Sequence, residues 1–420
     1  MNVWIVNHNA IPPSMGGLVR HYYFSKYLQK KNYNVRIFTA SKIHNTDINI
    51  ITDKSLYKEV IVDDIEYTFV RSRDYSGNGL ERILNMVDLP FKMRKTFNKL
   101  YASDKPNVIY ASSPDLFVVL CALQFGRKYK IPVVVEIRDL WPESIVEYMR
   151  MSKRNLIIRI MYSIEKYIYK KADRLVFTFE GGKEYIKDKG WDRVVDLDKV
   201  VNINNGVDLD EFEYNKVNYQ LPEEDLKDDN FFKVIYVGSI RKVNHLEELV
   251  ESARIVKARG YDNIKFIIYG DGTEKQQLEE LCKNDGLNVV FKGRVEKKYV
   301  PYILSRSDLN IINVKKSNLV KYGISWNKFF EYVASEKPIL SNLPSNYDLI
   351  KKYNLGVSKL MTAEEYADEI IRFSELTKEE YMQYTTNASD IIARYDYKYL
   401  TEKVEEELIQ ACVCVRRGEK

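Results

Sequence analysis

Residues 232–256 read FKVIYVGSIRKVNHLEELVESARIV. An apolar run of strand length stops at Gly238, and a helical pattern follows in which Leu246, Leu249, Val250, Ala253 and Val256 share one face. A strand that is apolar on both faces and runs into an amphipathic helix is a unit of a parallel sheet covered by helices. The same unit recurs downstream in KFIIYGDG (265–272), NVVFKG (288–293), LNIINV (309–314) and KPILSN (337–342). Upstream, an independent series consists of VWIVN (3–7), VRIFT (35–39), VIYAS (108–112), VVVEI (133–137), LVFTF (175–179) and VVNIN (200–204). Helical patterns separate most of these runs, the first over residues 18–31. The chain therefore reads as two α/β halves joined near NGVDLDEFEYN (205–215).

The remaining stretches fit around this plan. VIVDD and EYTFVRS (60–72) predict a small edge hairpin, and residues 42–58 a polar surface loop. YQLPEEDLKDDN (219–230) reads as an exposed loop opening the second half, and residues 377–411 as helical with no strand after them.

Composition narrows the function. With 420 residues, 45% of them apolar and 30% charged, the chain has the make-up of a soluble globular protein of two or three domains. A net charge of +5 without a dense Lys/Arg cluster speaks against a nucleic-acid partner. It suits a modest anionic partner, either a phosphorylated small molecule or a lipid surface. Of four cysteines, Cys121 and Cys282 lie in apolar helical patterns and Cys412 and Cys414 in the tail. No paired His/Cys ligands accompany them, so reduced, structural cysteines are expected and no metal site. MNVWIVNHNA is too short and polar for a secretory leader, and no run of about 20 apolar residues predicts a membrane span.

In open α/β sheets ligands bind beyond the carboxyl ends of the strands, so candidate residues are those that follow each apolar run. After the first come Gly16 and Gly17, placed before a helix where bare backbone N–H groups could approach a phosphate; a plain glycine turn is the alternative. After VVVEI come Arg138 and Asp139, the latter a substrate contact or the cap of a helix begun at LWPES. Glu180 follows LVFTF in the equivalent place. In the second half Gly238 permits close approach, and Arg241 and Lys242 offer cations to a phosphate. In VKYGISWNKFFEYVASEKPIL (320–340), Ser325 is a plausible N-cap, while Lys328, Glu331 and Ser335 share one helical face. A cation in the first turn opposes the helix dipole. It is justified by a ligand carrying phosphate and vicinal hydroxyls, the lysine neutralising the one and the glutamate accepting from the other. The competing reading is an ordinary i, i+3 ion pair between Lys328 and Glu331.

These residues resemble a known family. MGGLVRHYYFSKYLQKKNYNVRIFT, EIRDLWPES, KADRLVFTFEGGKEYI, NINNGVDLDEF, YVGSIRKVNHLEELVESA, IIYGDG, VVFKGRVEKKYVPYILSRSDL and GISWNKFFEYVASEKPIL occur in the order seen in retaining glycosyltransferases of family four, especially those building bacterial O-antigen and capsular polysaccharide. The resemblance implies a GT-B fold: two Rossmann-like parallel-sheet domains facing a cleft, residues 1–205 binding the acceptor and 206–394 the nucleotide-sugar donor. A C-terminal helix over about 395–415 would return to the first domain. It also implies a cytoplasmic, metal-independent hexosyltransferase that uses an NDP-sugar, UDP being expected, and extends a lipid-linked saccharide.

Residue by residue, the family's paired-glutamate motif sets its second glutamate at Glu331, with a ribose contact implied. Its first would fall on Gly323, so that carboxylate is missing. The family's phosphate-loop arginine and lysine align with Ser239 and Asn244, leaving Arg241, Lys242 and Lys328 as nearby substitutes. The resemblance further leaves Arg138 and Asp139 near the reacting sugar, where the family often has histidine and aspartate. A degenerate scaffold without activity, motivated by Gly323, and a nucleotide-sugar epimerase are the competing readings. Finally, LPFKMRKTFNKLY (89–101) and MSKRNLIIRIMYSIEKYIYKK (151–171) interleave basic with apolar residues, as helices at an anionic membrane surface do; ordinary amphipathic packing is the alternative.

Overall fold

The structure, a computed structural model, describes residues 1–416 apart from 45, 76 and 78. It forms two compact units: Met1–Asn204 together with the stretch from Tyr397, and Asn205–Asp396.

The first unit is built on eight strands: β1 (Asn2–Asn7), β2 (Asn34–Ala40), β3 (Tyr57–Val62), β4 (Ile65–Val70), β5 (Val108–Ser112), β6 (Val133–Ile137), β7 (Arg174–Phe177) and β8 (Val200–Asn202). Their order is β3-β4-β2-β1-β5-β6-β7-β8, parallel except for the edge hairpin β3–β4. The largely apolar runs of β1, β5 and β6 follow from burial on both faces. On one face lie the helices Arg20–Lys30 and Tyr397–Arg416. Tyr23 stacks on Tyr397 with ring centroids 4.7 Å apart, and Leu400, Val404, Leu408 and Ala411 complete that core. The tail thus folds onto the first unit because its apolar stripe fits there. The side chain of Cys414 lies outside the described residues, and Cys121, Cys282 and Cys412 are free thiols.

The second unit has β9 (Phe232–Val237), β10 (Ile264–Tyr269), β11 (Val289–Gly293), β12 (Leu309–Ile312), β13 (Ile339–Ser341) and β14 (Gly356–Ser358). They are ordered β11-β10-β9-β12-β13-β14, with parallel pairing throughout. The helix Leu246–Ala258 buries the five residues that its periodicity predicts.

Three expectations are corrected. The loop 219–230 contains the short helix Glu224–Lys227, held down by the fully buried Leu226. The loop 42–58 is anchored, since Ile43 and Ile51 enter the core, and β3 already begins at Tyr57. The edge strand β14 has no counterpart among the expected strands.

Candidate functional site

In an open sheet the crevice for a ligand opens where strand order reverses. In the second unit that point lies between β9 and β12. Here Gly238 follows β9, and the helix Asn327–Ala334 follows β12 through the turn Asn318–Tyr322. Tyr332 fastens the helix to the strand end: its hydroxyl accepts from the Val237 N–H at 2.9 Å and donates to the Val237 carbonyl at 3.3 Å. Lys328, in the first turn, thereby reaches over the Tyr236 ring, its Nζ 4.2 Å from the centroid and 3.0 Å from the hydroxyl, to which it donates. A Cβ on Gly238 would stand 2.7 Å from that Nζ, so the glycine makes room for the ammonium.

Among the described residues no carboxylate lies within ion-pair distance of Lys328. Burial without a counter-charge pushes its ammonium down from 10.5 to about 7. An unpaired cation at a helix N-terminus, where the dipole also favours a negative guest, is chemically a receptor for an anion.

Glu331 does not pair with Lys328. It is ion-paired with Lys297, on the turn Lys297–Tyr299 that follows β11. Only Oε1 is engaged, and Oε2 has no protein partner among the described residues. The competing reading, an i, i+3 pair between the two, does not hold: Lys328 turns toward the strand end, and Glu331 toward a neighbouring loop. Ser325 is likewise not the N-cap, a place held by Trp326. Its hydroxyl instead accepts from the backbone N–H of Asn205 at 2.8 Å, tying the start of the unit to the loop before the helix. Gly323 closes the preceding turn at φ +104°, a conformation closed to ordinary side chains. A glutamate could not stand there without refolding the turn. Arg241 and Lys242 are exposed on the turn Lys242–Asn244 after β9, on the same edge as Gly238.

In the first unit strand order reverses between β1 and β5. His8 follows β1 and Asp115 follows β5, and they meet with Nδ1 2.6 Å from Oδ2. Asn7 bridges the two strand ends by donating to the carbonyls of Ser112 and Ser113 at 3.2 and 3.1 Å. Arg138 follows β6 and donates its N–H to Ser113 Oγ at 2.8 Å. Asp139 is not a helix cap: the N-cap of the helix Glu143–Met149 is Pro142. Surrounding protein pushes the Asp139 carboxyl above its ordinary range, Arg138 opposing, and the side chain's exposure screens that push. Glu180 accepts from Asn204 Nδ2 at 3.1 Å. Gly16 and Gly17 lie before the helix Arg20–Lys30 rather than at its first turn, with Val19 as N-cap. The Gly16 N–H is already spent on the Pro13 carbonyl at 3.4 Å.

Beneath this edge Glu136, fully buried, accepts from Arg20 Nε (2.6 Å), Tyr110 (2.7 Å), Ser112 (2.6 Å) and His21 Nε2 (3.0 Å). Burial opposes its ionisation, yet Arg20 and His21 hold it well below the usual carboxylate range. The Arg20 guanidinium also donates to the Ile203 and Asn204 carbonyls. This network fixes the strand ends that carry the candidate residues.

His8 and Asp115 are absent from the expected residues, although His8 directly follows β1 and Asp115 comes three residues after β5; the strand-end rule alone points to them. Among the described residues no group of three or more His, Cys, Asp or Glu is placed to hold a metal ion, and no helix is long and apolar enough to cross a membrane.

Comparison with known proteins adds a family. Residues 15–211 match the family model Glycosyltransferase Family 4, and residues 219–390 match Glycosyl transferases group 1. A probable glycosyltransferase, WbjE of Pseudomonas aeruginosa, is 23% identical over 221 residues, 50% of each chain. The chain thus spans about half the length of this curated relative. Among solved structures, alpha,alpha-trehalose 6-phosphate synthase from Burkholderia multivorans superposes with a TM-score of 0.73 at 14% identity, over 98% of this chain and 99% of that one. Anabaena Alr3699/HepE, solved with UDP and glucose, gives 0.65 at 15% identity over 97% and 98%. At such identities the likeness establishes the GT-B fold. Each unit carries a glycosyltransferase domain.

Proposed function

We propose that this two-domain glycosyltransferase moves a hexosyl group from an NDP-sugar, with UDP as the nucleotide, to a lipid-linked saccharide. Transfer proceeds with retention and without a metal, in the assembly of bacterial surface polysaccharide, O-antigen or capsule. The protein acts in the cytoplasm at the inner face of the membrane. The observation that carries the donor half of this reading is Lys328, a cation without a carboxylate at the reversal point of the second sheet. It lies where a diphosphate would meet a helix N-terminus. Glu331 offers its unengaged Oε2 to the ribose hydroxyls, and the exposed Arg241 and Lys242 supply further charge.

Support for UDP comes from the HepE structure, which was solved with UDP and glucose. Support for polysaccharide assembly comes from the family resemblance and from the distant WbjE. For the first unit the reading assigns Arg138 and Asp139 to the reacting sugar and Glu180 to the acceptor.

Calorimetric titration of UDP, GDP, CDP and ADP into the protein tests the reading. UDP should bind tightest, and consumption of UDP-sugar should persist in EDTA. Absence of binding by any nucleotide would favour a scaffold, the alternative that Gly323 motivates.

A further inference from the structure

We propose that His8 and Asp115 position the hydroxyl that attacks the donor. His8 Nε2 accepts that hydroxyl's hydrogen bond, and Asp115 holds the imidazole in the tautomer that allows it. The proposal rests on the reading of the first unit as the half that receives the acceptor.

The chemistry follows from the pair itself. A carboxylate oxygen that meets Nδ1 at 2.6 Å accepts from it, so the contact assigns a proton to Nδ1, and the neutral ring then carries its lone pair on Nε2. The two side chains are 6% and 3% exposed, so water competes little for their bond. Nε2 has no protein partner among the described residues, and it is not among the polar atoms shut off from solvent. The small exposure that His8 retains therefore includes its acceptor nitrogen. His21 is the contrast: its Nε2 is held by Glu136, and its Nδ1 is buried with nothing to bind.

Asp115 is fixed independently. Its other oxygen accepts the N–H groups of Phe117 (2.9 Å) and Val118 (3.3 Å), capping the helix Leu116–Tyr129. Swinging away from His8 would uncap the helix, so the imidazole is held by a rigid element.

Position supplies the third argument. The pair spans the strand-order reversal of the first sheet, and Arg138 and Asp139 follow the next strand over. Adjacent strands lie about 4.8 Å apart, so the three strand ends offer about 10 Å of edge, enough for a sugar ring. An acceptor nitrogen that orients a hydroxyl requires no covalent step and leaves the stereochemical course to the donor.

Asp115→Asn is the decisive variant. Its amide oxygen can still cap the helix, while its NH2 group donates toward Nδ1 and turns Nε2 from acceptor into donor. Long-range 1H–15N spectra of the intact chain read the tautomers of its four histidines, with His8 assigned by loss of its signals in His8→Gln. Release of UDP from UDP-glucose, UDP-galactose and UDP-N-acetylglucosamine reads turnover with water as the attacking hydroxyl.

The expected result is an Nδ1–H His8 in the wild type and an Nε2–H His8 in Asp115→Asn. The kcat for UDP release should fall about 100-fold, with KM for the donor and affinity for UDP unchanged. A merely structural pair predicts a lower melting temperature with unchanged kcat, and that outcome overturns the proposal. So does an Nε2–H His8 in the wild type, whatever the turnover. UDP affinity keeps the two readings apart. A wild type that binds no UDP removes the nucleotide-sugar reading and the dyad with it. A wild type that binds UDP but turns over no faster than Asp115→Asn removes the dyad alone.

Discussion

Glu331 is ion-paired with Lys297, while Lys328, three residues earlier on the same helix, donates to Tyr236. The two residues are thus independent, and their variants should behave differently. Lys328→Ala removes a poorly solvated cation from a helix N-terminus, so the melting temperature should hold or rise. Affinity for UDP should fall by ten- to a hundredfold, as loss of a charge-assisted hydrogen bond of about 1.5–3 kcal/mol implies. Glu331→Gln weakens the ion pair with Lys297 and the ribose contact together. A small drop in stability, up to about 1 kcal/mol, and weaker UDP binding are expected. Calorimetry beside melting curves checks both; wild-type affinity in Lys328→Ala would remove the diphosphate from this helix.

The lowered lysine also predicts a pH dependence. Between about 7 and 10.5 the unfolded chain holds a proton that Lys328 in the fold has lost. Stability from this group therefore rises with pH across that window, and below it both states are protonated. A bound diphosphate restores the charge, so UDP binding at pH 8 should take up close to one proton, and affinity should decline above pH 7. Titrations in buffers of different ionisation enthalpy measure the uptake. A value of zero would show that Lys328 is charged in the free protein or does not meet the ligand.

The central strands of both sheets were legible because burial on two faces writes a short apolar run bounded by polar and turn residues. β14 was not: Gly356–Ser358 is three residues long, half-buried, and has a single apolar side chain, Val357. The helix Glu224–Lys227 hides for a similar reason, one buried leucine within an acidic run. Helical periodicity placed Lys328 and Glu331 on a common face, but it reports only neighbours within the helix. Lys297 comes from another loop, so the actual partner of Glu331 was out of its reach. His8 and Asp115 are farther still, 107 positions apart, and are joined only by the parallel pairing of β1 with β5.

Glu136 makes the first unit sensitive to acid. Its pKa is depressed by Arg20 and His21 against the cost of burial, so its contribution is present above the unfolded value of about 4.3 and is lost as pH falls through the folded value. Glu136→Ala leaves the Arg20 guanidinium buried without its counter-charge and should cost about 3–5 kcal/mol. Glu136→Gln should cost less and flatten the acid limb of the stability profile. Urea unfolding between pH 3 and 7 measures both. An unchanged acid limb in Glu136→Gln would mean that other carboxylates set it.

The membrane contact proposed for the first unit follows from two helices that flank the helix Leu116–Tyr129. On Leu80–Leu100, Ile83, Leu84, Val87 and Phe91 form an exposed apolar stripe, Phe91 at 67%. On Leu156–Lys171, Leu156, Ile157 and Ile160 do the same, Leu156 at 70%. Arg94, Lys95, Arg154 and Arg159 lie in or beside the same segments. Ordinary amphipathic packing accounts for the opposite faces, where Leu89, Met93, Phe97, Ile158, Met161 and Ile168 are buried, but not for these exposed stripes. Apolar residues that remain exposed beside cations match the interface of an anionic bilayer, where each nearby Lys or Arg contributes about 1 kcal/mol. The protein should float with vesicles containing phosphatidylglycerol at low salt and dissociate as salt rises. Phe91→Glu combined with Ile157→Glu alters only exposed positions, so it should leave the melting temperature unchanged while abolishing flotation. If the double variant floats as the wild type does, these helices are not the membrane contact.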